Sequence, residues 1–279
     1  MLNGATLDKM RYMLHGLSND FLYAAVKLVV KFCAKDGTDV RNFEGTGFFV
    51  KNSEGKLCLV TNRHMLDAGF KDEKFAQYQY VGAEIHLKKR NSISTAPDRD
   101  VVFQIAGGEE VFAKSIENDV ACIRDLKVLG PKDVGGTIDY FLEYEWIATG
   151  DDIASKLCVC DFVAFPGFPL WHDQSANRPI FRMGTIASDP RFDYSFLNGN
   201  KRIGGQCLAY EAFSFAGSSG SPVFSVQKGI GGGNGIVVSG FQPVRLIGIN
   251  AGHLPADGSV SHSGISYLYK SPVILEVIG

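Results

Sequence analysis

The chain predicts an all-β protein built from antiparallel strands, and three observations carry that prediction. Short apolar runs recur about every ten residues, separated by turns bearing Gly, Asn, Asp and Pro, as in hairpin-connected strands. Apolar residues fill 45% of the 279 positions, enough for a complete core and too many for a disordered chain. No uninterrupted apolar stretch approaches the roughly 18 residues of a membrane-spanning helix.

In chain order, Leu7, Met10, Met13, Leu14 and Leu17 fall at helical spacing and predict an amphipathic helix over 5–17, packed on the β structure or docking a partner. Strands are expected over 24–34, 45–51, 56–62, 80–89, 99–105, 119–125, 156–165, 178–187, 205–212, 221–227, 235–250 and 263–270, with a short helix from Val273 to Gly279. Lys88-Lys89-Arg90 reads as a solvated strand end. Gly130-Pro131 and Gly135-Gly136 interrupt the pattern. They suggest an N-terminal helical segment over 1–20 and two β units over 21–135 and 136–279.

Chemistry concentrates first in Gly217-Ser218-Ser219-Gly220-Ser221-Pro222. One hydroxyl, that of Ser219, stands between glycines. A glycine before a nucleophile lets successive backbone N–H groups turn inward as an anion pocket, and one after it leaves the attacking oxygen uncrowded. A Ser/Gly-rich hexapeptide is also an ordinary loop, so the reading needs a base and an orienting acid. His64 follows the strand-like Leu57-Cys58-Leu59-Val60-Thr61-Asn62 directly, and a histidine at a strand end can be aimed into a cleft as a general base. His15, His86, His172, His253 and His262 have no comparable setting. Asp119 stands where the polar Glu117-Asn118 runs into the apolar Val120–Ile123, placed to accept a hydrogen bond from an imidazole. The order of the three is His, Asp, Ser.

These blocks resemble the chymotrypsin-like serine peptidases, specifically the bacterial high-temperature-requirement proteases. Gly45-Thr46-Gly47-Phe48-Phe49, Val60-Thr61-Asn62-Arg63-His64, Asp119-Val120-Ala121, Gly217–Pro222 and Leu246-Ile247-Gly248-Ile249-Asn250 resemble that family's successive conserved blocks, spread over nearly the whole chain. The Gly-Ser-Pro-Val ending of the serine block also resembles the glutamyl endopeptidases. The resemblance implies two six-stranded Greek-key barrels with the site between them. It implies a His64-Asp119-Ser219 triad, an oxyanion hole formed by the backbone N–H groups of Gly217 and Ser219, and a substrate pocket near Phe213, Ser214, Asn250 and Gly252. Phe213 replaces the carboxylate that cleavage after Lys or Arg requires, and Ser214 and Asn250 suggest a small or apolar side chain. Ser218 precedes the nucleophile where zymogen-activated digestive enzymes carry Asp, so activation by a freshly cut N-terminus is not expected.

The expected activity is therefore endopeptidase cleavage of peptide or protein substrates through an acyl-enzyme. The alternative is a catalytically silent protease fold serving as a peptide-binding or scaffold module. An α/β-hydrolase reading with Ser219, Asp257 and His262 fails because Ser221 stands where its nucleophile elbow needs Gly. A net charge of −2 gives no pull toward nucleic acid or anionic membranes. The start of the chain lacks the basic-then-apolar layout of a signal peptide. The six cysteines (33, 58, 122, 158, 160, 207) mostly fall inside strand-like runs. Cys158 and Cys160 read as alternation along a strand rather than as metal ligands with His172. The chain is expected in the cytoplasm with reduced thiols, without cofactor or metal, and under the control of a regulatory partner.

Overall fold

The computed structural model describes residues 17–93, 96–130, 138–198, 201–229, 241–256 and 262–279. The helix expected over 5–17 lies, but for Leu17, outside them, as do residues 235–240 of an expected strand. A one-turn helix α1 (Asn19–Tyr23), N-capped by Ser18, leads into the first barrel.

That barrel contains β1 (Ala25–Ala34), β2 (Val40–Lys51), β3 (Leu57–Thr61), β4 (Tyr78–Lys89), β5 (Arg99–Phe112) and β6 (Ala121–Leu129). They close antiparallel in the order β1-β2-β3-β6-β5-β4. Residue chemistry sets the pleat. In β1, Val26, Leu28, Val30 and Phe32 are buried while Lys27 and Lys31 turn outward, the period-two alternation of a strand covering a core. A turn at Asn52 joins β2 to β3: the Asn52 side-chain carbonyl accepts from the backbone N–H groups of Glu54 and Lys56 at 3.1 and 2.9 Å.

A capped helix α2 (Gly150–Lys156) precedes the second barrel. There, β7 (Phe162–Gly167), β8 (Ile180–Ile186), β11 (Cys207–Glu211), β12 (Pro222–Ser225), β13 (Arg245–Pro255) and β14 (His262–Lys270) close in the order β11-β14-β13-β12-β7-β8. Between β8 and β11 a small hairpin, β9 (Phe196–Asn198) with β10 (Lys201–Ile203), stands apart. Renumbered from its own first strand, the second barrel repeats the strand order of the first. Helix α3 (Ser271–Ile278) ends the chain.

Each barrel encloses its own apolar core, one around Leu28, Phe49 and Phe103, the other around Phe165, Tyr210 and Ile247. A third apolar layer joins them: Phe48, Val60 and Cys122 from the first barrel meet Phe224, Leu246 and Tyr269 from the second, with Ile274 and Val277 of α3. Consecutive buried residues at Phe48-Phe49 follow from this, since one faces the seam and the other the barrel interior. Full burial of such a side chain contributes about 1.5–3 kcal/mol.

Several local expectations are corrected. The strand expected over 156–165 begins only at Phe162, because Thr149 and Asp152 form a capping box that commits 150–156 to a helix. Cys158 and Cys160 are consequently exposed turn residues rather than alternating strand positions. Lys88 is buried, not solvated, and pairs with Asp100 at 2.5 Å. The six cysteines are free thiols, and among the described residues no three His, Cys, Asp or Glu side chains gather as metal ligands. Among the described residues no helix is long and apolar enough to cross a membrane.

Candidate active site

β3 delivers His64. The strand ends at Thr61, Asn62 leads into a 3-10 turn over Arg63–Met65, and His64 occupies its middle. Asp119, 1% exposed, lies just before β6. Its carboxylate grips the histidine twice: Oδ1 accepts the His64 backbone N–H at 2.9 Å, and Oδ2 lies 2.7 Å from Nδ1. The Asn62 side-chain amide donates to the Asp119 carbonyl at 2.8 Å. Imidazole position, tilt and tautomer are thereby fixed together.

A third group meets the same carboxylate. Lys71 Nζ lies 2.9 Å from Asp119 Oδ2 and donates to the carbonyl of Ala251 in β13 at 3.2 Å. Burial alone would raise the Asp119 carboxyl, but His64 and Lys71 outweigh it and hold the group well below the usual carboxylate range. Burial pushes the His64 imidazole down; Asp119 pulls it back and Lys71 adds to the lowering, leaving it below the ordinary histidine value. Nothing in Gly69-Phe70-Lys71-Asp72 marks Lys71 as special, since a polar loop lysine is usually solvated.

The serine loop is held from both barrels. Thr46 of β2 donates its N–H to the Ser219 carbonyl at 2.9 Å and its hydroxyl to the Gly217 carbonyl at 2.7 Å. Gly220 N–H donates to the Asn250 carbonyl at 3.0 Å. Two glycines are obligatory here. Gly217 has φ +90° and Gly220 φ +87°, and added β-carbons would lie 2.2 Å from the Phe168 carbonyl oxygen and 1.9 Å from that of Thr46. Gly45 marks how near the histidine this loop runs: a β-carbon there would lie 2.8 Å from Met65, beside His64, and 3.5 Å from the Ser219 carbonyl oxygen. Among the described residues, the N–H groups of Gly217 and Ser219 donate to no protein acceptor. Two free donors at a turn are what an oxyanion requires.

The four expected pocket residues fare differently. Asn250 is fully engaged: its Oδ1 accepts from Tyr210 Oη at 2.7 Å and its Nδ2 donates to the Ser218 carbonyl at 2.8 Å, so it braces the serine loop. Ser214 is buried, its Oγ 2.9 Å from that of Ser266. Gly252, at φ +153°, packs on the Tyr267 ring. Phe213 is 57% exposed. Its carbonyl accepts from Arg182 Nη1 at 2.9 Å and its ring lies 4.9 Å from that of His262, which stacks at 4.2 Å on His253. The Arg182 guanidinium lies 4.6 Å from the Phe215 ring centre. Burial, then His253 and Arg182, push His262 down to about 4. Among the described residues Arg182 has no carboxylate partner; its Nη1 meets the Phe213 carbonyl and, at 3.5 Å, the Ser218 hydroxyl. A cavity of about 540 Å³ is lined by Ala216 and Gly217 of the serine loop together with Phe168, Leu170 and His172.

Proteins of known structure share this fold. Solved structures of similar shape include a thermostable serine protease AL20 from an extremophilic microorganism, at 14% identity over 93% of this chain and 96% of that one, with a TM-score of 0.51. The protease Anisep from Arthrobacter nicotinovorans is similar at 15% identity over 92% and 94% of the two chains, with a TM-score of 0.50. At such identities the likeness concerns the fold alone. No curated protein matches the chain. The trypsin-like peptidase domain family matches residues 45–230, from within β2 to just past β12, and the chain belongs to that family.

Proposed function

We propose that this protein is a serine endopeptidase in which His64, Asp119 and Ser219 cleave peptide bonds through an acyl-enzyme. His64 takes the Ser219 hydroxyl proton as Oγ attacks the substrate carbonyl. The N–H groups of Gly217 and Ser219 receive the tetrahedral oxyanion, each such donor supplying about 3–4 kcal/mol in comparable enzymes. Collapse expels the amine, protonated by His64, and water attacks the ester with the same base. The observation that carries the reading is the double grip of Asp119 on His64, because a surface histidine has no need of a buried carboxylate that fixes both its backbone and its ring. Control by a regulatory partner and a reducing cytoplasmic setting, in keeping with six free thiols, belong to the same reading.

The substrate side departs from a small or apolar preference. Among the described residues Arg182, half-buried against the Phe215 ring, has no carboxylate partner, and a half-buried cation without a counter-ion favours an anionic visitor. We therefore read the preferred side chain before the scissile bond as acidic. Incubating the purified protein with a peptide library and mapping products by mass spectrometry tests both parts. Cleavage after Glu or Asp that disappears in Ser219→Ala is expected. Undiminished cleavage by Ser219→Ala would overturn the mechanism, and cleavage after alanine or leucine the specificity.

A further inference from the structure

Lys71 stands out among the groups that the triad mechanism leaves without a role. It sits on the very oxygen of Asp119 that holds the His64 ring. It is also firmly placed. Arg63 pairs with Asp67 at 3.2 Å and lies 4.9 Å from the Phe70 ring centre, which pins the loop immediately before Lys71. Its second bond, to the Ala251 carbonyl, reaches across to β13 of the other barrel.

We propose that Lys71 is a positioning and charge-setting residue of this site: it neutralises Asp119 and thereby keeps His64 an uncharged base into more acidic solution. The physical argument is one of charge count. A lone buried carboxylate fully favours the imidazolium, whereas a carboxylate already paired with an ammonium presents a near-neutral dipole. An ammonium within a few ångströms also repels the imidazolium directly, and such a neighbour typically moves a titration by about 1–3 pKa units. Other titratable groups facing the pair do not supply this charge. Tyr267 and Tyr269 of β14 and Cys207 of β11 stay neutral, burial raising both phenols and pushing the thiol up to about 12. Arg63, on the histidine's own turn, is matched by Asp67. The bond to Ala251 adds a mechanical role, tying the acid–base pair of the first barrel to the strand whose Asn250 braces the serine loop.

The proposal rests on the peptidase reading only for its kinetic consequence, so the test has two arms. In the first, the imidazole resonances of Ser219→Ala are titrated by NMR, with His64→Gln identifying the His64 signal. Adding Lys71→Met should raise the His64 midpoint by about one pH unit, and Lys71→Arg should leave it near the parent value. Lys71→Gln serves if the methionine variant is not folded by near-ultraviolet circular dichroism. In the second arm, the rate of fluorophosphonate attachment to Ser219 is followed against pH. Lys71→Met should move its acidic limb upward equally, a loss of up to about tenfold against the parent at the same acidic pH with the plateau unchanged. An unchanged His64 midpoint in a folded Lys71→Met overturns the proposal. A raised midpoint with no labelling of Ser219 in any variant supports the role of Lys71 and contradicts the peptidase reading.

Discussion

At the residue scale, the site depends on a few polar side chains that each hold two things at once. Asn250 ties Tyr210 to the Ser218 carbonyl, and Asn250→Ala removes the 2.7 Å acceptor of the buried Tyr210 hydroxyl and one of the two donors to that carbonyl, which keeps the Ser221 N–H at 3.2 Å. A buried unsatisfied group costs about 1–3 kcal/mol, so the variant should unfold at lower urea and label more slowly at its serine. Wild-type urea resistance and wild-type labelling together would show that Asn250 braces nothing. His64, Asp119 and Ser219 were legible because each sits in a local pattern that its chemistry demands, respectively a strand end, a polar-to-apolar boundary and a hydroxyl between glycines. Asn250 was legible as a site residue but not in its role, since sequence does not say which way an amide turns. Lys71 and Arg182 left no local mark. Each becomes meaningful only through a partner distant in sequence, Asp119 and Ala251 for the one and the Phe213 carbonyl for the other.

At the element scale, α3 closes the seam between the barrels. Val273, Ile274, Val277 and Ile278 are all fully buried, and Arg124 of β6 donates to the Val277 carbonyl at 2.6 Å. Ile274→Ala removes three carbons from a site that β13 and β6 cannot collapse to fill, and should cost about 2–5 kcal/mol. Calorimetric or urea unfolding measures this, and a loss under about 1 kcal/mol would show that the helix packs loosely. The pattern of apolar runs placed most strands but misjudged their ends. β5, expected over 99–105, runs on to Phe112 through Gly107-Gly108, where the pairing register shifts as at bulges. The strand expected from 156 starts only at Phe162, and Lys156 instead ends the helix that the capping box at Thr149 begins.

At the scale of the whole molecule, two barrels of identical strand order meet over an apolar seam, and the candidate site lies where polar ties cross it. Thr46 binds the serine loop, Asn118 accepts from Gln206 at 2.9 Å, and Lys71 reaches Ala251. The histidine and the acid come from one barrel and the serine from the other, so a reactive serine is a property of the docked pair. That two-barrel outcome was readable from the order of the motifs, while the docking, made by residues far apart in the chain, was not. The most direct test of the account is fluorophosphonate labelling of the purified protein, with the modified residue mapped by mass spectrometry and His64→Ala alongside. A single adduct on Ser219 that His64→Ala abolishes is the expected result. An unlabelled Ser219 in the folded wild-type protein, or labelling that His64→Ala leaves untouched, would contradict it.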